Sequence, residues 1–149
     1  MLTFNLRRPF DAITCLFSSI GYVKTRTNLG RAIKNMSRHL CPGGVLLVEP
    51  WFSSHKWNVG RVHTLLVDKP ELKITRMSHS RRRRNLSIIE FQYLVGTKAG
   101  IEHFTEQHEL GLFSHADHMA AFRTAGLQVV HDKEGLDGRG LYIGVKPVA

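Results

Sequence analysis

The sequence predicts an α/β domain interrupted by an antiparallel β-meander, and three observations lead there. Residues 10–17, 25–40 and 45–48 read as strand, helix and strand, the unit of a parallel crossover. Residues 71–80, 86–95 and 101–112 then read as three β-rich segments joined by short turns, which is the pattern of a meander. The chain closes with an amphipathic helix over 114–125 and two short strands, 127–132 and 141–145. At 149 residues it has the length of one domain, sufficient for a real core.

Each element has a local cause. Residues 10–17 mix β-branched and aromatic side chains, as a buried parallel strand requires. Leu29, Ala32, Ile33, Met36 and Leu40 follow at helical spacing, and Lys34, Arg38 and His39 sit toward the negative pole of that helix. Pro42-Gly43-Gly44 is expected to stop the helix, and Val45–Val48 is aliphatic throughout, as a second buried strand would be. Such a crossover is right-handed, so the two strands are expected to run parallel. Residues 50–61 are irregular, with Trp51, Phe52 and Trp57 among polar neighbours. Ser114 is the expected N-cap of the second helix and Gly126 its stop. No internal repeat or low-complexity linker interrupts the chain.

Composition narrows the function classes. The formal charge of +9 and a pI near 10.1 invite a polyanion partner, but the excess is concentrated in Arg81–Arg82–Arg83–Arg84 and in Arg7–Arg8. A run of that kind is expected to be a solvated loop. No stacking aromatic pair or Cys/His finger spacing accompanies it, which weighs against nucleic acid. An anionic small substrate such as a nucleotide would also favour a basic surface. Two cysteines, Cys15 and Cys41, cannot build a disulfide framework and read as reduced core thiols in a cytoplasmic protein. The longest aliphatic run is far too short to span a membrane, and residues 1–10 lack the features of a signal peptide. Nine histidines raise the question of a metal; His115 and His118 stand at i, i+3 and His103 and His108 on a strand, but no Cys or carboxylate completes a ligand set, so none is expected. Cys15, inside a buried strand, is not a candidate nucleophile.

Four stretches carry a resemblance: Phe10-Asp-Ala-Ile-Thr-Cys-Leu-Phe-Ser-Ser-Ile-Gly-Tyr22, Leu40-Cys-Pro-Gly-Gly-Val-Leu-Leu-Val-Glu-Pro-Trp51, Ser78-His-Ser80 and Gly138-Arg-Gly-Leu-Tyr-Ile-Gly-Val145. In this order they resemble the C-terminal portion of a class I S-adenosylmethionine-dependent methyltransferase, and more narrowly the nucleotide-sugar N,N-dimethyltransferases of desosamine and mycaminose biosynthesis. The Pro-Gly-Gly turn is shared by many methyltransferases; Tyr22, Glu49-Pro-Trp51, Ser-His-Ser and Gly-Arg-Gly together are more specific. The resemblance implies a partial class I (Rossmann-like) sheet lacking its first strands, with residues 1–60 and 113–149 as core and 61–112 as an antiparallel substrate-binding insert. The family's Gly-rich cofactor loop and the acidic residue that holds the ribose are not found here. The loop over 135–140 lacks G-x-G-x-x-G spacing and leads into a strand, so it is not that loop.

The resemblance also implies roles. Leu16, Phe17 and Ser18, at the end of the first strand, would lie beside the S-adenosylmethionine sulfonium, and Ser19 would touch substrate; ligands of open α/β sheets bind at such carboxyl ends. Leu16 and Phe17 would equally serve as ordinary core. Tyr22 matches the position close to the amine and would orient its lone pair by hydrogen bonding, since in-line placement supplies much of such catalysis. His79 is a conceivable general base for the proton the amine must lose. Strand alternation puts Ser78 and Ser80, as substrate contacts, on the face opposite His79. Arg139 matches the arginine on the sugar-nucleotide diphosphate, a ligand suited to a guanidinium fork. Trp51, and Trp57 with it, could stack on a thymine or cover the core edge.

The expected function is thus an N-methyltransferase fragment for a nucleotide-linked amino sugar or similar small amine. The alternative is a non-catalytic remnant or basic polyanion-binding module. In the class I sheet the first strand lies against the fourth, so residues 10–17 would present an uncovered edge. Self-association or a partner chain over that edge is expected.

Overall fold

The computed structural model describes residues 1–148 and divides the chain into two compact units, residues 1–56 with those from Leu110 onward, and Trp57–Glu109. The first unit holds a four-stranded sheet built from β1 (Phe10–Cys15), β2 (Leu40–Val48), β7 (Gln128–Asp132) and β8 (Leu141–Val145), in the order β1-β2-β8-β7. β1 and β2 are parallel, as the crossover rule requires, while β8 runs antiparallel to both β2 and β7. Two helices, α1 (Arg26–Arg38) and α2 (His115–Thr124), supply the apolar layer. Leu29, Ala32, Ile33 and Met36 of α1 meet Leu46 and Val48 of β2, Phe122 of α2 and Tyr142 of β8 in one buried cluster.

Both helices begin as the sequence suggests. The Thr25 hydroxyl accepts the Asn28 N–H ahead of α1. Ahead of α2, Ser114 and Asp117 form a reciprocal capping box. Gly126, with φ of 78°, follows the Ala125 cap as the left-handed stop.

Pro42-Gly43-Gly44 does something other than expected. α1 ends at Arg38, capped at His39, and β2 already starts at Leu40. The Pro-Gly-Gly segment is a bulge within β2: Phe10 pairs with Leu40, but Ala12 pairs with Val45. Gly43 adopts φ of 79° and its N–H donates to the Lys146 carbonyl, while Lys146 returns a bond to the Gly44 carbonyl. A Cβ on Gly44 would stand 2.9 Å from the Cys41 oxygen and 3.1 Å from those of Phe10 and Asp11, so the strand pair closes only over a glycine. The first strand also stops earlier than its apolar run, at Cys15. Residues 16–18 form a turn into a 3-10 helix, Ser19–Val23.

The second unit is built on a four-stranded antiparallel sheet of β3 (Val62–Lys69), β4 (Leu72–Arg83), β5 (Leu86–Thr97) and β6 (Gly100–Gly111, its last two residues counted with the first unit), paired in sequence order. The meander therefore has one more strand than the sequence suggested. The added strand is β3, where most of Val-His-Thr-Leu-Leu-Val-Asp-Lys is exposed and the apolar alternation is weak. The arginine run is also not a loop. Arg81–Arg83 finish β4 and only Arg84, at φ of 54°, sits in the turn. Arg81 pairs with Glu90 at 2.8 Å and Arg83 with Glu109 at 3.1 Å, so two of the four arginines are engaged by nearby carboxylates.

Candidate active site

The site assembles at the carboxyl ends of β1 and β2, where an open α/β sheet presents its ligands. Beyond Cys15 the backbone turns sharply: Phe17 and Ser18 both hold φ near 55°, a left-handed conformation that costs a non-glycine residue of order 1 kcal/mol or more. Side chains fix this turn. The Ser18 hydroxyl donates to the Pro50 carbonyl at 2.8 Å, the Ser19 hydroxyl to the Leu16 carbonyl at 2.7 Å, and the Phe17 N–H to Glu49 Oε2 at 2.6 Å. Ser18 is buried and Leu16 half-buried, but the Phe17 ring is 85% exposed, so it is not core. Tyr22, on the 3-10 helix that follows, is 46% exposed. Leu16, Phe17, Ser18, Ser19 and Tyr22 are thus brought together by one strained turn and the helical turn after it.

Glu49, the residue after β2, is buried to 2% exposure. Its second oxygen, Oε1, accepts from Arg139 Nη2 at 2.6 Å. Arg139 stands between Gly138 and Gly140, both with φ above 75°, in the loop from β7 to β8. Its guanidinium also binds the Asp137 carboxylate, through Nε at 3.0 Å and through Nη2, and these hydrogen bonds hold Asp137 below the usual carboxylate range. The same guanidinium lies 5.8 Å from the Trp51 ring centroid, a cation–π distance.

Arg139 and Trp51 line a cavity of about 150 Å³ whose other walls include Phe52, Lys56, His131 and Tyr142. Its back is an aromatic stack that the sequence did not suggest. Tyr142 lies against His118 at 4.5 Å and 8° between planes, and against His131 at 4.4 Å. His115 Nδ1 is 3.1 Å from the Tyr142 hydroxyl. Burial pushes the Tyr142 phenol up to about 12 and His118 down to about 4; burial and the nearby His115 both lower His131. His118 Nδ1 faces the Ser114 carbonyl at 3.0 Å, so Nδ1 carries the proton and the partnerless Nε2 is an acceptor. Among the described residues no group of three or more His, Cys, Asp or Glu is arranged to hold a metal ion.

The remaining sequence candidates lie in the second unit. Ser78 and Ser80 are buried on one face of β4 and His79 is exposed on the other, the alternation expected of a strand. Glu49, Asp137 and the Tyr142 stack went unassigned in the sequence. The available signal for Glu49 was an acidic residue directly after a wholly aliphatic strand and before Pro50. Cys15 is buried, and desolvation raises its thiol to about 11, consistent with an inert core thiol.

No protein-family profile matches the chain. It is 40% identical over 146 residues to the dTDP-3-amino-3,4,6-trideoxy-alpha-D-glucopyranose N,N-dimethyltransferase of Streptomyces venezuelae, covering 97% of this chain and 62% of that protein. It is 39% identical to the dTDP-3-amino-3,6-dideoxy-alpha-D-glucopyranose N,N-dimethyltransferase of Streptomyces fradiae, covering 97% and 57% respectively. Among solved structures, the sugar N-methyltransferase KedS8 from a Streptoalloteichus species superposes with a TM-score of 0.92 at 36% identity, over 98% of this chain and 60% of that one. The SAM-bound amino pentose methyltransferase CalS10 from Micromonospora echinaspora gives 0.87 at 36% identity, over 97% and 61%. The chain spans about three fifths of the length of these relatives. The resemblance to the C-terminal portion of a class I S-adenosylmethionine-dependent methyltransferase is borne out, and so is the fold: a partial class I sheet with an antiparallel insert.

Proposed function

We propose that this chain supplies the substrate side of an S-adenosylmethionine-dependent N-methyltransferase acting on a nucleotide-linked amino sugar. The observation that carries the reading is Arg139. Its guanidinium, flexed between two glycines, borders both the cavity and the Trp51 ring, and it reaches through Glu49 to the strained turn at residues 16–18. A guanidinium fork receives a diphosphate through paired N–H donors, and Trp51 offers a stacking face to the attached pyrimidine. Both named curated relatives act on dTDP-linked amino sugars, in keeping with this ligand.

S-adenosylmethionine supplies an electrophilic methyl group, and Leu16, Phe17 and Ser18 are the residues of this chain that would border it. The exposed Phe17 ring offers a π face that would attract the sulfonium cation. Tyr22 would hold the amine through its hydroxyl, and Ser19 would contact the sugar. The amine must be neutral to attack, so a proton leaves it at some stage. A cytoplasmic setting suits the two free thiols, and a partner or second copy would cover the outer edge of β1. No helix among the described residues is long and apolar enough to cross a membrane.

Calorimetric titration of the chain with thymidine diphosphate, and separately with S-adenosylhomocysteine, tests the reading. Nucleotide binding that is lost in Arg139→Ala is expected. Absence of heat with thymidine diphosphate refutes the substrate assignment.

A further inference from the structure

One buried carboxylate joins the two loops to which the proposed function gives separate tasks. Glu49 Oε2 accepts the Phe17 N–H and Oε1 accepts Arg139 Nη2, each at 2.6 Å, and the Glu49 N–H donates to the Cys15 carbonyl at 2.9 Å. A carboxylate this buried is stable only while paired and hydrogen-bonded. The Phe17 N–H that it receives belongs to a residue in the left-handed region, so the bond helps hold backbone that would otherwise relax. Arg139 divides itself between buried Glu49 and Asp137, whose side chain is 42% exposed.

We propose that Glu49 is a positioning residue that links the occupancy of Arg139 to the shape of the turn at residues 16–18. An arriving diphosphate competes with both carboxylates for the guanidinium. Asp137 can turn out into water, whereas Glu49 is fixed by burial and by Phe17. The ligand therefore displaces Asp137, and the altered charge balance at Arg139 reaches Phe17 through Glu49. The phosphate end of the substrate would in this way set the turn on the methyl-transfer side. This inference rests on the reading of Arg139 as a diphosphate ligand, but the link between the two loops can be measured without any ligand.

The measurement is amide hydrogen exchange at Phe17 in the 149-residue chain. Without ligand, Arg139→Ala should speed Phe17 exchange about tenfold, the scale of a weakened charge-assisted hydrogen bond. Arg139→Lys should restore most of the protection, and Asp137→Ala should leave it within about twofold of wild type. No change in Arg139→Ala overturns the link. So does equal acceleration in Asp137→Ala, since that means the whole loop has loosened. With saturating thymidine diphosphate, Phe17 exchange in the wild type should shift about threefold or more. In Glu49→Gln, whose amide oxygen can serve only one of the two donors, the nucleotide should still bind without that response; a response that survives overturns the proposal. If Glu49→Gln does not fold, the ligand-free Arg139 series decides. If thymidine diphosphate does not bind the wild type, the nucleotide reading fails, and the ligand-free series still decides the role of Glu49.

Discussion

Arg139 shows how much chemistry one side chain concentrates here. It is 22% exposed, braced by two carboxylates and set beside an indole, so it is pre-positioned without being sealed off. Lysine at that position would keep the charge and lose the fork. Arg139→Lys should therefore weaken thymidine diphosphate binding by about tenfold and Arg139→Ala by about a hundredfold, in keeping with the loss of one or two charge-assisted bonds; equal affinities in calorimetry would remove Arg139 from the site. His118 makes a different prediction, about pH. It is 1% exposed and its folded pKa is near 4 against an ordinary 6.5. A depressed histidine pKa means that the unfolded chain binds the proton more readily. Stability is then highest above pH 6.5, and falls as pH drops from 6.5 toward 4, by roughly 3 kcal/mol in all from this residue. Asp117, His115 and His131 face the ring and modulate the slope, the carboxylate opposing the loss and the imidazoles adding to it. Thermal melts of wild type and His118→Gln between pH 4 and 7 should show the variant with a distinctly flatter profile; parallel profiles would mean His118 does not titrate as described.

At the scale of elements, α2 and β8 were the most legible. A serine cap, a glycine stop and a short apolar run are local signals, and local geometry obeys them. The crossover strands were legible as well, but their boundary was not, because the function of Pro42-Gly43-Gly44 depends on a partner strand remote in sequence. Read alone it is a helix stop; opposite Phe10 and Asp11 it is a bulge that lets a wide segment of β2 pass. Gly44→Ala should therefore cost about 1–3 kcal/mol, since the backbone oxygens around the new methyl belong to a paired strand and cannot retreat. Urea unfolding would measure it, and a change below about 0.5 kcal/mol would mean that the bulge is soft. β3 leaves little trace in the sequence because most of its side chains are exposed and alternate weakly, and Arg81 and Arg83 are satisfied by Glu90 and Glu109 and not by any periodic apolar pattern. The candidate site divides likewise: flanking motifs point to Tyr22 and Arg139 as candidates, whereas the contacts of Glu49 arise only where β1, β2 and the β7–β8 loop converge on it.

At the scale of the whole molecule two forces act on association, and salt separates them. Among the described residues β1 ends its sheet, hydrogen-bonded to β2 and to no other strand, and Asp11, Ala12 and Thr14 along it are exposed. An open edge of this kind is a template for another strand. Against that stands a formal charge of +9, which makes copies of the chain repel one another at long range. Raising salt from about 0.05 M to 0.5 M shortens the screening length from above 10 Å to roughly 4 Å, weakening the repulsion while leaving strand pairing intact. Edge-driven self-association should therefore strengthen with salt. Binding to a nucleic acid or other polyanion through the arginines would do the opposite, with affinity falling steeply as counterions compete. Sedimentation velocity across that salt range distinguishes the two. The expected result is a weight-average mass that grows with salt at fixed protein concentration. Thr14→Lys, which adds charge to the edge, should suppress that growth, whereas alanine replacement of Arg82 and Arg84 should not. A mass that stays at the monomer value throughout would show that the edge of β1 is protected without a partner strand.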